Sequence, residues 1–260
     1  MAILKDETNG TGLLKALNDS FRDLSGGRTA VLFSGGLDSS LLAALARPFS
    51  DLRLYTVGYP GSHDIEAGSS GARELGLPWE PIFLDDDALR SAVSCLRDRF
   101  GMNDPVSTSF EVPLYIACTS IAEAVLLSGQ GADELFGGYA RYSPLSISEL
   151  GEAREKDLRR LLSEGLPREE TIARDMGKKL SCPYLHPGVV EVALSIPPGE
   201  LIGELGNKQP LRSLALGLGL SSARAPKKAA QYGSGTMKAM KRLAAERGMR
   251  VGTWAMEVKG

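Results

Sequence analysis

Histidine is nearly absent from this chain, with only His63 and His186 in 260 residues. That scarcity excludes a histidine-rich metal centre and the HExxH helix of zinc proteases. Cysteine is scarce too. Cys95, Cys118 and Cys182 are odd in number and stand in neither metal-finger nor CxxC spacing, so a disulfide framework and a sulfur-relay pair are both excluded. Long apolar runs are missing: no stretch of about 18 apolar residues occurs, and the first thirty residues carry acids and glycines rather than an apolar signal core. The expectation is a cytoplasmic protein with no membrane partner. Excess positive charge is missing as well. The 30 Lys+Arg stand against 32 Asp+Glu, a formal net charge of −2, which argues against DNA and disfavours RNA as a partner. Finally, neither GxxxxGK[ST] nor a GxGxxG after a strand is found, which argues against a kinase-like NTPase and a dinucleotide enzyme.

What is present is an ordinary globular composition, 43% hydrophobic and 24% charged. The first half alternates strand and helix signals. Residues 11–24 read as an amphipathic opening helix, ended by Ser25-Gly26-Gly27. Short apolar runs at 29–33, 52–57, 79–84 and 124–127 read as strands, with helices expected near 38–46, 69–75, 86–99 and 111–123. Strands separated by helices indicate βαβ units, hence an α/β protein with a doubly wound parallel sheet. The second half shows no convincing strand before its last residues. Helices are expected at 146–164, 189–196, 210–216 and 237–248, and the tail 251–260 as a strand or a loose end. The reading is residues 1–145 as a nucleotide-binding α/β unit and 146–260 as a helical cap, with one continuous domain as the alternative.

In an open parallel sheet, ligands bind beyond the carboxyl ends of the strands. Two loops there stand out. The first strand runs into Ser34-Gly35-Gly36-Leu37-Asp38-Ser39-Ser40, where two glycines, hydroxyls and the next helix's amides form an anion cradle. The fourth runs into Ser128-Gly129-Gln130-Gly131-Ala132-Asp133-Glu134. Either loop alone could be a plain strand-to-helix turn. Two in one chain, each delivering an aspartate, point to Asp38 and Asp133 as joint holders of Mg2+ on a triphosphate.

SGGLDSS resembles the pyrophosphate loop of the PP-loop ATP pyrophosphatases that adenylate their substrates, and LSGQGADELFGGY resembles their asparagine synthetase branch, to which β-lactam synthetase is a cousin. TVGYPGSHD at 56–64, CPYLH at 182–186 and PKKAAQYGSG at 226–235 extend the resemblance. It implies the adenine nucleotide α-hydrolase-like fold and a set of roles. Ser34, Gly35, Gly36, Asp38 and Ser39 would cradle pyrophosphate. Leu32, Val57, Ser128 and Gly129 would line the adenosine part of ATP. Asp38 and Asp133 would hold the metal, and Lys227, with Lys228 as the adjacent alternative, would steady the charged transition state.

The departures from the family pattern matter as well. Gln130 stands where the family carries a Glu linked to accepting the amine's proton, and a neutral amide is no general base. Around 168–186 the family reads roughly RDDRxxMAxGxExRxPFLD, so Thr171, Lys179, Ser181 and His186 replace Arg, acid, Arg and Asp at positions expected to shape the acyl pocket. His186 reads as a capping or core histidine rather than a catalyst. The chain begins Met1-Ala2-Ile3, without the glutaminase of the glutamine-using synthetases. Nitrogen is then expected from ammonia, from an amine on the substrate or from a separate glutaminase subunit. The leading reading is an AMP-forming amide synthetase acting on a small carboxylate, aspartate by default. The alternatives are a PP-loop enzyme adenylating an RNA base carbonyl and a partner-dependent nucleotide-binding subunit.

Overall fold

The structure, a computed structural model, describes residues 6–24, 27–225 and 230–260. In chain order the helices and strands are α1 (Asp6–Ser20), β1 (Arg28–Leu32), α2 (Leu37–Ala46), β2 (Asp51–Gly58), α3 (His63–Leu75), β3 (Trp79–Phe83), α4 (Asp86–Phe100), α5 (Pro105–Ser120), β4 (Val125–Leu127) and α6 (Ala132–Phe136). There follow α7 (Ile147–Arg160), α8 (Leu166–Asp175), β5 (Lys179–Ser181), α9 (Pro187–Ser195), the two-residue strands β6 (Ile202–Gly203) and β7 (Gly206–Asn207), α10 (Gln209–Gly217), α11 (Ala230–Gly233), α12 (Thr236–Glu246) and α13 (Val251–Glu257).

The main sheet runs β3-β2-β1-β4-β5, every pair parallel. Strand side chains alternate between faces, and both faces here are buried. Val31, Leu54 and Leu127 enter one core with Leu13, Leu17, Leu41 and Leu211. Their strand neighbours Ala30, Tyr55 and Leu126 enter the other with Leu89, Val93, Val112, Met240 and Trp254. That two-sided burial is why the strands read as continuous apolar runs.

The chain builds outward from β1 to β3, then crosses to the other side of β1 to lay down β4. The order therefore reverses between β1 and β4, the place where a doubly wound sheet opens a crevice. Both glycine-rich loops leave the sheet at that point. Thr56 braces the same rim: its buried hydroxyl donates to the Phe33 carbonyl at 2.5 Å and accepts from Trp79 Nε1 at 2.8 Å.

The structure corrects three expectations about elements. The second half does contribute to the main sheet, because Lys179–Ser181 pairs with β4 as an edge strand. Three half-exposed residues that include a lysine leave no apolar run to read. The tail is neither strand nor loose end. Residues 251–257 are helical, with Trp254 and Val258 buried, and Arg97 of α4 donates to the carbonyls of Ala255 and Val258. Tertiary packing overrides a weak local propensity there. The opening helix also ends earlier than read, at Ser20, before a 3-10 turn at Arg22–Leu24.

Candidate active site

The loop after β1 is shaped by its glycines and serines. Gly35 adopts φ +69°, and a Cβ there would lie 2.3 Å from the backbone of Ala67, so only glycine lets α3 pack this closely. Ser34 Oγ accepts from the Gly36 amide at 3.3 Å, and Ser39 Oγ accepts from the Ser34 amide at 3.3 Å. Asp38 lies in the first turn of α2, where the helix dipole favours an anion. Leu32 and Val57 lie near the ends of the adjacent strands β1 and β2, Val57 buried and Leu32 partly so.

The loop after β4 lies against the first. Its Ser128 amide donates to Ser181 of β5 at 2.8 Å. A Cβ on Gly129 would stand 3.2 Å from Asp38 Cβ. CPYLH covers both loops: the buried Tyr184 hydroxyl donates to the Asp38 carbonyl at 3.1 Å, and Leu185 lies where a Gly131 side chain would go.

The two aspartates meet at a lysine that the sequence reading missed. Lys208 Nζ lies 2.6 Å from Asp38 Oδ2 and 2.6 Å from Asp133 Oδ1, in a nearly fully buried position. Burial opposes its charge, but the two carboxylates outweigh that and hold the ammonium above the usual lysine range. Lys208 is the one non-glycine residue with positive φ, at 63°, among the described residues. Such a backbone persists where the surroundings over-determine it. Asn207 supplies that constraint: its side-chain amide donates to the Tyr139 carbonyl at 3.0 Å, while its backbone carbonyl accepts from Arg212 Nε at 2.7 Å. One signal was available. A lysine directly preceding a helix stands at the end where the dipole disfavours a cation.

Mg2+ needs only one or two carboxylates beside substrate phosphates. Asp38 Oδ1 fits that demand, being a buried acceptor with no hydrogen-bond partner. Among the described residues no cluster of three or more His, Cys, Asp or Glu that could hold a metal ion is found.

Gln130 is not isolated on the second loop. Its side-chain amide donates to Glu169 Oε1 on α8. Glu111 of α5 stands in the same group and is engaged by Arg168 at 2.8 Å. Burial, opposed by Arg168, pushes the Glu111 carboxyl up. Burial and then the charge of Glu111 push Glu169 well above the carboxylate range.

Other expected residues lie elsewhere. Thr171 is exposed and bonds the Pro167 carbonyl, its position on α8 being about 200° around the helix from Glu169. Lys179 is exposed on the edge strand. His186 caps α9, its Nδ1 accepting from the Gly188 amide at 3.3 Å. Thr171 and Lys179 thus face solvent, and His186 takes the capping role that the sequence predicts. Lys227 and Lys228 lie outside the described residues. Their flanks are tied down: Arg212 donates to the Ala223 and Ala225 carbonyls, and the Ser234 carbonyl accepts from the Tyr59 amide at 3.0 Å beside the end of β2.

Among the described residues no helix is long and apolar enough to cross a membrane. A sequence model of the asparagine synthase family matches residues 13–180. A putative glutamine-hydrolysing asparagine synthetase of Methanocaldococcus jannaschii is 31% identical over 85% of this chain and 48% of its own length. Asparagine synthetase B of Escherichia coli K12 is 26% identical over 76% of this chain and 40% of its own. The chain spans about half the length of these curated relatives. Among solved structures, the U34-tRNA thiolase NcsA of Methanococcus maripaludis aligns over 98% of this chain and 81% of that one, at 16% identity and TM-score 0.47. The family match and the archaeal relative together show that this chain belongs to the asparagine synthase family.

Proposed function

We propose that the chain is an ATP-dependent, AMP-forming amide synthetase with aspartate as its default acid. The observation that carries this reading is the meeting of Asp38 and Asp133, each from a glycine-rich loop, on the single ammonium of Lys208. Two carboxylates and one ammonium leave the cluster net negative, the setting for a divalent cation, which together with Lys208 would meet the charge of a departing pyrophosphate.

In this reading Ser34, Gly35, Gly36 and Ser39 hold the phosphates, and Leu32, Val57, Ser128 and Gly129 face the adenosine. The acid's carboxylate attacks the α-phosphorus, pyrophosphate leaves, and ammonia or another amine then displaces AMP. Lys208 stays charged throughout and offsets negative charge on the leaving group. Lys227 is assigned a second cationic role on the approaching oxygens. Asp38 and Asp133 would hold Mg2+, which when bound neutralises phosphate charge. Ammonia from a separate glutaminase subunit is consistent with relatives that are named glutamine-hydrolysing and are about twice as long.

The test is ATP–pyrophosphate exchange by the purified chain with magnesium and a panel of amino acids. Exchange that requires aspartate supports the reading as stated. Exchange with another acid moves the substrate and keeps the chemistry. Silence across the panel, or an Asp38→Ala variant with undiminished exchange, overturns it.

A further inference from the structure

One oxygen of Asp38 and one of Asp133 already share a cation, and that cation belongs to the chain. Lys208 Nζ lies 2.6 Å from Asp38 Oδ2 and 2.6 Å from Asp133 Oδ1. Mg2+ bonds carboxylate oxygen at about 2.0–2.1 Å. An ion bonded to the same two oxygens would stand against the ammonium, where like charges repel.

The lysine is built to stay. Its side chain is only 4% exposed, and its stem is wedged beside Gly138, where a Cβ would lie 2.1 Å from Lys208 Cε. The preceding residue fixes its backbone. Asn207 Nδ2 donates to the Tyr139 carbonyl at 3.0 Å, and Asn207 Oδ1 accepts from Ser143 Oγ at 3.0 Å. With backbone and stem so fixed, the ammonium can change partners but cannot retreat to solvent. As a stabilising device the arrangement is weak, because one buried ammonium on two carboxylates leaves net negative charge and a desolvation cost. It also leaves one acceptor over, since Asp38 Oδ1 is buried with no hydrogen-bond partner. A nucleotide changes both conditions. Its phosphate oxygens accept from the ammonium in place of an aspartate, and they supply the ligands that Mg2+ requires beyond one or two carboxylates.

We propose that Lys208 is a tethered substitute for the metal, so that the chain takes a divalent cation only together with a nucleoside triphosphate. This rests on the nucleotide-binding part of the reading above. The ammonium holds Asp38 and Asp133 together before the nucleotide arrives, and bars them to free Mg2+. The arriving phosphates draw the ammonium off one carboxylate oxygen and open that oxygen to the ion they carry. Binding is therefore ordered, and free metal does not preload the site.

The test follows Mn2+, a paramagnetic replacement for Mg2+ at oxygen ligands, by water-proton relaxation in the whole chain. Mn2+ is added alone and then with α,β-methylene ATP, against the same Mn2+–nucleotide mixture without protein. The parent is expected to bind Mn2+ alone at least about tenfold more weakly than Lys208→Met does, the least that relief of a close like-charge contact gives. With the analogue present, the parent should take up Mn2+ in a ternary complex. Adding Asp38→Asn to Lys208→Met should abolish the metal site that Lys208→Met gains. Mn2+ alone binding the parent and Lys208→Met within about threefold of each other overturns the proposal. So does a site gained by Lys208→Met that survives Asp38→Asn. If Lys208→Met is unfolded by circular dichroism, the parent decides: Mn2+ bound alone as tightly as with the analogue overturns the proposal, and Mn2+ bound only with the analogue supports it. A parent that takes no Mn2+ even with the analogue overturns the underlying nucleotide-binding reading instead.

Discussion

Gly138 and Lys208 approach so closely that a Cβ built on the glycine would lie 2.1 Å from Lys208 Cε. The same atom would fall 1.9 Å from Asp133 Oδ1 and 2.9 Å from Asp133 Cα. A methyl group at position 138 must therefore move the lysine, the aspartate or both. Gly138→Ala is expected to reduce pyrophosphate exchange by roughly 10²-fold, the scale of an ångström-sized misplacement, and to destabilise the fold by about 1–3 kcal/mol through overpacking. Exchange kinetics measured beside thermal unfolding check both. Parental kinetics in the alanine variant would show that the seating of Lys208 is dispensable.

Lys208→Met keeps most of the apolar stem and removes the charge. Asp38 and Asp133 then confront each other without the ammonium that lies 2.6 Å from each. Two like charges in one partly buried site are unfavourable, so the variant should unfold at a lower temperature in metal-free buffer. Magnesium should recover part of that loss, and should shift the variant's midpoint more than the parent's. Exchange should fall by about 10²–10³-fold, as for loss of one preorganised charge-stabilising group. Equal magnesium shifts in the two proteins would argue against the carboxylates as a shared cation site.

These two residues also mark where the sequence stops being legible. The strands of the first half and both glycine loops could be read because two-sided burial writes short apolar runs, and tight strand-to-helix turns write glycine. Asp38 and Asp133 followed from those loops. Lys208 did not, because its meaning lies in a contact with a residue 170 positions away. Glu169 is similar: nothing in REET on an amphipathic helix distinguishes the glutamate that reaches Gln130 from Glu170, which faces solvent. Edge strand β5 was lost for a different reason, since a half-exposed strand of three residues carries no hydrophobic period.

Thr56 offers a test of the rim that supports the first loop. Its hydroxyl is buried and bonded to the Phe33 carbonyl and Trp79 Nε1 at once. Thr56→Val preserves shape while leaving both groups without their partner. An unsatisfied buried polar group costs about 1–3 kcal/mol, so a denaturant midpoint should fall accordingly. Because Phe33 leads directly into Ser34, KM for ATP in the exchange assay should rise several-fold as well. A stable variant with unchanged KM would show that the loop does not depend on this brace.

The carboxyls of Glu111 and Glu169 give the pH dependence its sign. Burial raises both, with Arg168 opposing at Glu111, and Glu111 adds further to the rise at Glu169. A carboxyl whose folded value exceeds its unfolded value favours the protonated folded state. The stability it contributes is fully present below the ordinary value of about 4.5 and is lost as pH climbs through the raised folded value. Glu111→Gln removes one such group, so its unfolding free energy relative to the parent should increase between about pH 4.5 and pH 7. The same change removes a repelling charge from Glu169 and frees Arg168 from its 2.8 Å pairing. Both effects lower the proton affinity of Glu169. A relative unfolding free energy that stays flat across that pH range in Glu111→Gln would show that Glu111 does not carry a raised folded value.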